Sequence, residues 1–143
     1  MAKLKGRAPS CKAAILCDQA IRDAGTQKWT LVGLWDRIQI SKEPSKDAPI
    51  FHNQIGLYFY LVDTSVGEFP WMIELLHFGD LIECDFELKG KVVVKDELLP
   101  LELGVNFRRV PIKAVGSYTF RLWINGKAVG DKDFKVVINK GGK

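Results

Sequence analysis

The chain has 143 residues, a length typical of one domain with a buried core. Apolar residues make up 47% and charged residues 27%, which excludes a disordered chain. No apolar run approaches the ~20 residues that a membrane-spanning helix needs, and the first twelve residues, MAKLKGRAPSCK, lack the apolar segment of a secretory signal. We therefore expect a cytoplasmic protein without membrane contact. Its odd number of cysteines, three, fits that reducing compartment.

The net charge of +4 comes from the two ends of the sequence. Residues 1–12 hold four basic residues and residues 135–143 hold three, with no acidic residue in either segment. The remainder has 14 basic and 17 acidic residues, a net charge of −3. Because nucleic-acid-binding proteins usually carry a basic face on the folded body, we expect no specific nucleic-acid binding. We divide the sequence into a basic N-terminal arm (1–12), a folded domain (13–138) and a flexible C-terminal tail (139–143).

Apolar and polar residues alternate with a period of two through most of the chain, which predicts half-buried antiparallel strands. No comparably strong helical period is found. Segments rich in Gly, Pro, Asp and Asn separate the apolar runs and predict turns. Eight or nine short strands bury their apolar faces only in two packed sheets or a barrel. In chain order, the predicted strands are 13–21, 29–40, 52–62, 71–78, 81–88, 91–95, 101–108, 117–125 and 132–138.

The first two predicted strands look at first like an active site, because Cys17 adjoins Asp18. The first strand is apolar on almost both faces, however, which is typical of a strand in the middle of a sheet. The second strand contains Gly33, and a glycine within a strand often marks a bulge or a close approach of backbones. We therefore interpret this stretch as two strands rather than as catalytic residues.

The last predicted hairpin turns at Asn125-Gly126, because a two-residue type I′ turn needs positive φ at both central residues. Such a turn sets the register of the two strands. The apolar positions after it change from one face to the other. This change predicts a bulge near Gly130–Lys132.

Three stretches carry a resemblance to a known family: CDQAIRDAGTQKWTLVGLWDRI, Pro49 before a strand, and GSYTFRLWINGKAV. Together they resemble a family of small uncharacterised bacterial proteins, described only as a domain of unknown function. The resemblance implies an immunoglobulin-like fold. We therefore predict an all-β, immunoglobulin-like antiparallel β-sandwich of about eight to nine strands. The family brings no catalytic residues with it.

Three cysteines and two histidines are the candidates for metal binding or nucleophilic catalysis: Cys11, Cys17, Cys84, His52 and His77. They are scattered over several predicted strands and form no Cys-x-x-Cys pair, which a structural zinc site usually contains. Cysteines in apolar runs usually act as small hydrophobic residues. We therefore predict no enzymatic activity, no metal and no cofactor.

Two alternatives remain open. Loop carboxylates such as Asp47, Asp63 and Asp80 would bind calcium if the fold brought them together, which would make the protein a metal-binding sandwich domain. The C-terminal Gly141-Gly142 resembles the end of a ubiquitin-like modifier that is conjugated to other proteins. Against a modifier, the sequence lacks the helix that a β-grasp fold contains.

Aromatic residues on outer faces carry the functional prediction. If Phe120 faces inward, Trp123 and Arg121 face outward; Tyr58 and Tyr60 share another face. Exposed Trp, Tyr and Arg are typical of protein interfaces. We therefore predict a non-enzymatic protein-binding or assembly module, whose partner is another protein or a second copy of the chain. The alternative, equally weighted, is that these strands are central and covered on both faces.

Overall fold

The computed structural model of the protein describes residues 9–82 and 88–139, which contain twelve strands and no helix. The prediction of an all-β fold is confirmed, but the predicted number of eight to nine strands is wrong. The strands are β1 (Ser10–Arg22), β2 (Trp29–Leu34), β3 (Arg37–Ile40), β4 (Ile50–His52), β5 (Ile55–Val62), β6 (Gly67–His77), β7 (Asp80–Ile82), β8 (Lys89–Val94), β9 (Leu101–Phe107), β10 (Val110–Ile112), β11 (Gly116–Ile124) and β12 (Lys127–Ile138).

The strands form two main sheets that share one core, as in a β-sandwich. The first sheet has the order β2-β1-β5-β9. The second sheet has the order β3-β12-β11-β6-β7, with β8 paired to the first half of β6, and β4 pairs with β10 in a small third sheet. The described pairs are antiparallel except for β12 with β3, which is parallel. The prediction of a wholly antiparallel fold is therefore wrong at this pair.

An aromatic stack through the core joins the two main sheets. Phe107 of β9 lies 5.4 Å from Phe120 of β11, measured between ring centroids, and Phe120 lies 5.4 Å from Phe134 of β12. Tyr118 continues the stack, at 5.3 Å from Phe134. The predicted inward stripe of β11 is confirmed, because Tyr118, Phe120, Leu122 and Ile124 are all buried.

The predicted strand 29–40 is divided between the two sheets, which the alternation of residues did not indicate. β2 ends at Leu34 in the first sheet, and β3 begins at Arg37 in the second. Gly33 has a φ of 69°, and a Cβ atom there would overlap the carboxylate of Asp18. Glycine adopts this φ without strain and leaves room for the carboxylate. After this bend, Trp35 packs edge-on against Phe134, at 5.6 Å between ring centroids.

The other strand predictions were mostly correct, with three-residue strands as the exceptions. β4 and β10 each contain three residues, too few for a period of two to be seen, and β10 contains Pro111. The predicted strand 81–88 is observed only at Asp80–Ile82, because residues 83–87 lie outside the described part of the chain. Residues 1–8 and 140–143, which include most of the predicted arm and the Gly-Gly pair, also lie outside it. Within residues 9–82 and 88–139, no helix could cross a membrane.

The β11–β12 hairpin has the predicted turn. Asn125 and Gly126 have φ values of 52° and 79°, and Ile124 pairs with Lys127. The predicted bulge is confirmed, but it lies at Val129, one residue before the predicted range. A Cβ atom on the next residue, Gly130, would lie 2.8 Å from the sulfur of Cys11, so β12 approaches β1 closely here.

We expect Phe120→Ala to lower the free energy of unfolding by about 3–5 kcal/mol, because it removes the ring at the centre of the aromatic stack. Leu34→Ala is the control, because Leu34 is 68% exposed and its loss should cost less than about 0.5 kcal/mol. Urea denaturation measures both. A loss below about 1 kcal/mol for Phe120→Ala would show that the stack does not hold the sheets together.

Candidate functional site

The outer face of the second sheet carries Trp123 on β11, as its alternation with the buried residues predicted. Met72 of β6 lies directly opposite Trp123, and Lys89 of β8 lies opposite Met72. On the other side of Trp123, Ala128 of β12 is its partner. These four residues form a row across four strands. We call the surface around this row the Trp123 face and define it by Pro70, Met72, Lys89, Lys91 and Trp123.

The Trp123 face contains an apolar hollow that is open to solvent. Met72 is 40% exposed and Pro70 is also exposed. The indole Nε1 of Trp123 donates a hydrogen bond of 2.9 Å to Oε1 of Glu74, which fixes the orientation of the half-buried ring. The volume of the hollow is about 510 Å³, and its lining consists of Pro70, Trp71, Met72, Lys89, Gly90, Lys91, Trp123 and Gly126.

Arg121 is next to the hollow but is held by a carboxylate of its own chain. Its Nε and Nη2 atoms donate hydrogen bonds of 2.9 and 3.2 Å to the two carboxylate oxygens of Asp131, its cross-strand partner. The hydrogen bond and the negative charge of Asp131 raise the pKa of the guanidinium. Arg121 therefore lies at the rim of the Trp123 face as part of an exposed ion pair.

Tyr58 and Tyr60 lie on β5 in the first sheet, so the structure does not bring the four predicted binding residues together. Tyr58 is only 8% exposed, and its hydroxyl donates a hydrogen bond to Glu102. Burial, followed by the bond to Glu102, raises the pKa of Tyr58. Tyr60 is half-buried beside it. For Tyr58, the alternative of a central strand covered on both faces is therefore correct.

The cover over Tyr58 is Trp29 of β2, which reaches across the outer face of the first sheet. The two ring centroids are 5.8 Å apart, and the guanidinium of Arg22 lies 6.0 Å from the centroid of Trp29. A Cβ atom on Gly104 would overlap the Trp29 ring, so the glycine makes room for it. The glycine within an alternating strand was the only sequence signal of this close approach.

Several residues of the Trp123 face were not predicted from the sequence. Met72 and Lys91 belong to predicted strands and Lys89 falls between two of them, but nothing local indicated that β6 and β8 lie beside Trp123. That neighbourhood follows from the pairing of β6 with β11 and with β8. The one available signal was that Met72 alternates with Ile73 and Leu75 and so shares a face of β6 with Glu74.

Three of the residues considered for catalysis, Cys17, His52 and His77, are packed within the fold. Cys17 is fully buried, and burial is the main cause that raises the pKa of its thiol. Burial also lowers the pKa of His52, whose ring packs against Trp35. His77 hydrogen-bonds the Val115 carbonyl at 3.0 Å and packs on Tyr118.

In residues 9–82 and 88–139, no three His, Cys, Asp or Glu side chains are grouped closely enough to hold a metal ion. Cys84, one of the candidate ligands, lies outside these ranges.

Comparison with known families gives one match. A family described as a family of unknown function (DUF6941) matches residues 12–137. The chain belongs to this family. The match covers nearly the whole chain and agrees with the resemblance to an uncharacterised family, although it assigns no activity and no site residue. No curated protein matches the chain.

We expect the thiol of Cys17 to react at least about 1000-fold more slowly in the native protein than in denaturant, because reaction requires the buried thiol to become exposed. Its raised pKa also keeps it protonated at neutral pH. The measurement is the rate of labelling by a thiol reagent in a Cys11→Ser/Cys84→Ser variant. A Cys17→Ser/Cys84→Ser variant, which keeps the half-buried Cys11, is the control and should react faster. Fast labelling of Cys17 in the native protein would contradict the conclusion that its thiol is buried and unreactive.

Proposed function

We propose that the protein is a non-enzymatic protein-binding module whose partner docks on the Trp123 face. The observation that carries this proposal is the apolar hollow formed by Trp123, Met72 and Pro70 on the outer face of the second sheet. Interfaces are organised around such aromatic anchors in partly desolvated pockets. The hydrogen bond from Trp123 to Glu74 supports the proposal, because a pre-oriented ring loses little entropy on binding.

Two lysines give the proposed partner its chemistry. Lys89 and Lys91 border the hollow and are exposed. Within the described part of the chain, neither has an ion-pair partner, whereas Arg121 is paired with Asp131. A partner that inserts an apolar side chain and places carboxylates beside the lysines would complement this surface. The partner is a protein with such a segment, supplied by another chain or by a second copy of this one.

The Arg121–Asp131 pair takes a supporting part in this proposal. An exposed ion pair contributes about 0–1 kcal/mol to stability. Arg121 lies two residues before Trp123 on β11, on the same face of the sheet. The charges of the pair neutralise each other beside the row of Trp123. Arg121 thus frames the docking surface, and Trp123 and Met72 supply its apolar contact.

We further infer an immunoglobulin-like sandwich that works in the bacterial cytoplasm. Two observations support this. The two sheets share one core, and the resemblance of the opening strands and of the last hairpin is to small bacterial proteins of this kind. Cys11 and Cys17 are both free thiols, which is the usual state in a reducing compartment.

We expect Trp123→Ser to abolish or weaken partner binding at least about tenfold, as the loss of an interface anchor usually does. Loss of the bond to Glu74 should lower the free energy of unfolding by only about 1–2 kcal/mol. Lys89→Glu/Lys91→Glu should also weaken binding, by reversing the charge beside the hollow. The control is Val32→Ser, which changes a 46% exposed residue on the first sheet and should leave binding unchanged.

The measurement has two parts. Tagged wild-type and variant proteins are used to capture partners from cells that produce the protein, and the affinity of each identified partner is then measured by calorimetry. Size-exclusion chromatography with light scattering tests for a second copy as the partner. If a partner binds Trp123→Ser and the wild type equally well, the Trp123 face is not the docking surface.

A further inference from the structure

A second recess, remote from the Trp123 face, lies at one end of the first sheet. Three segments line it: β1 around Gln19, the β4–β5 connection at residues 53–54, and the end of β9 with the connection to β10 at residues 106–109. Its volume is about 560 Å³, within the range of small-molecule sites. We call it the amide pocket. Its lining consists of Gln19, Asn53, Gln54, Asn106, Phe107, Arg108 and Arg109.

The charged side chains that line the amide pocket are all positive. The pocket contains four carboxamides and two guanidiniums, and none of the residues that line it is acidic. A carboxamide both donates and accepts hydrogen bonds, as a hydroxyl-bearing ligand requires. A guanidinium only donates, is always charged, and matches a carboxylate through two parallel hydrogen bonds. The complementary ligand therefore has several hydroxyl groups and one carboxylate.

One wall of the pocket is fixed by a hydrogen-bonded pair across the sheet. The Asn106 amide accepts a bond of 2.8 Å from the Ala20 amide nitrogen and donates one of 2.9 Å to the Ala20 carbonyl. The Asn106 side chain extends from β9 across β5 to β1, and it crosses β5 at Gly56, the residue paired with Asn106. A Cβ atom on Gly56 would lie 2.9 Å from the Ala20 nitrogen, so the glycine leaves room for the link.

Another residue of the lining, Arg109, is held in a conformation that an arginine rarely adopts. Arg109 has a φ of 57°, which is strained for a residue with a large side chain. Its guanidinium lies 4.3 Å from the centroid of the Phe51 ring, a cation–π contact that helps to keep it there. Strained backbone that the surrounding structure maintains is concentrated at functional sites. Arg109 thus lines the pocket with its guanidinium held against Phe51.

The remaining polar groups of the pocket keep their hydrogen-bonding capacity for a ligand. Gln19, Asn53, Gln54 and Arg108 are exposed, and within residues 9–82 and 88–139 their side chains have no hydrogen-bond or ion-pair partner. Polar groups at the wall of a small-molecule site orient its ligand, and these four are available for that.

We propose that the amide pocket binds a sugar acid, a small polyhydroxylated molecule with one carboxylate. The carboxylate pairs with Arg108 and Arg109, and the hydroxyl groups bond to Gln19, Asn53 and Gln54. The site is on the first sheet, whereas the Trp123 face is on the second, so the proposal does not depend on protein docking.

The test uses the full chain and D-glucuronate as the probe, with amide chemical shifts followed by NMR. Glucuronate should shift the resonances of residues 19, 53–54 and 106–109 and should bind at least about tenfold more tightly than D-glucose or acetate. Equal binding of acetate would overturn the role of the hydroxyl groups, and equal binding of glucose would overturn that of the charge. The absence of localised shifts up to about 20 mM glucuronate would overturn the site.

Arg109→Gly separates ligand binding from folding. Glycine adopts the positive φ of this position without strain, so the variant should fold while losing the guanidinium. We expect it to bind glucuronate at least about tenfold more weakly than the wild type. The matched control is Arg37→Ala on β3, an exposed arginine of the other sheet, which should bind as the wild type does. Unchanged affinity in a folded Arg109→Gly variant would overturn the proposal.

Discussion

The stack of Phe107, Phe120 and Phe134 is the contact on which the arrangement of this protein depends. Phe107 belongs to the first sheet and the other two rings to the second, so the stack fixes how the sheets face each other. It also fixes the orientation of β11. With Phe120 inside, successive residues must alternate, and Trp123 is placed on the outer face beside Met72. The proposed docking surface is thus a consequence of core packing, and a change that turned β11 over would remove both together.

The local sequence pattern was enough to predict the features that depend on a single strand or a single turn. The alternation in β11 predicted its buried stripe and the outward position of Trp123, and Asn125-Gly126 predicted the hairpin. It was not enough where the environment comes from distant strands. Tyr58 was expected to be exposed because nothing near it in sequence indicates that Trp29 covers it. That cover depends on the strand β1 between β2 and β5 and on a glycine at position 104.

The parallel pairing of β3 and the short strands β4 and β10 escaped prediction for the same reason, since their partners are remote in sequence. The amide pocket also forms from three segments that are distant in sequence, and their proximity could not be predicted. The sequence does show the pair Arg108-Arg109, two adjacent basic residues at the end of a strand. The arginine pair becomes part of a pocket only together with Asn53 and Gln54, which the pairing of β4 with β10 brings beside it.

The buried thiol of Cys17 and the packed rings of His52 and His77 make these residues part of the framework. The proposed function therefore rests on the accessible Trp123 face. Hydrogen–deuterium exchange of the protein, alone and with a captured partner, tests this account most directly. The account predicts that the partner slows exchange in β6, β8 and β11, at residues 67–77, 89–94 and 116–124, and leaves β2 at residues 29–34 unchanged. Slowed exchange confined to β2 and β1, with β11 unaffected, would contradict it.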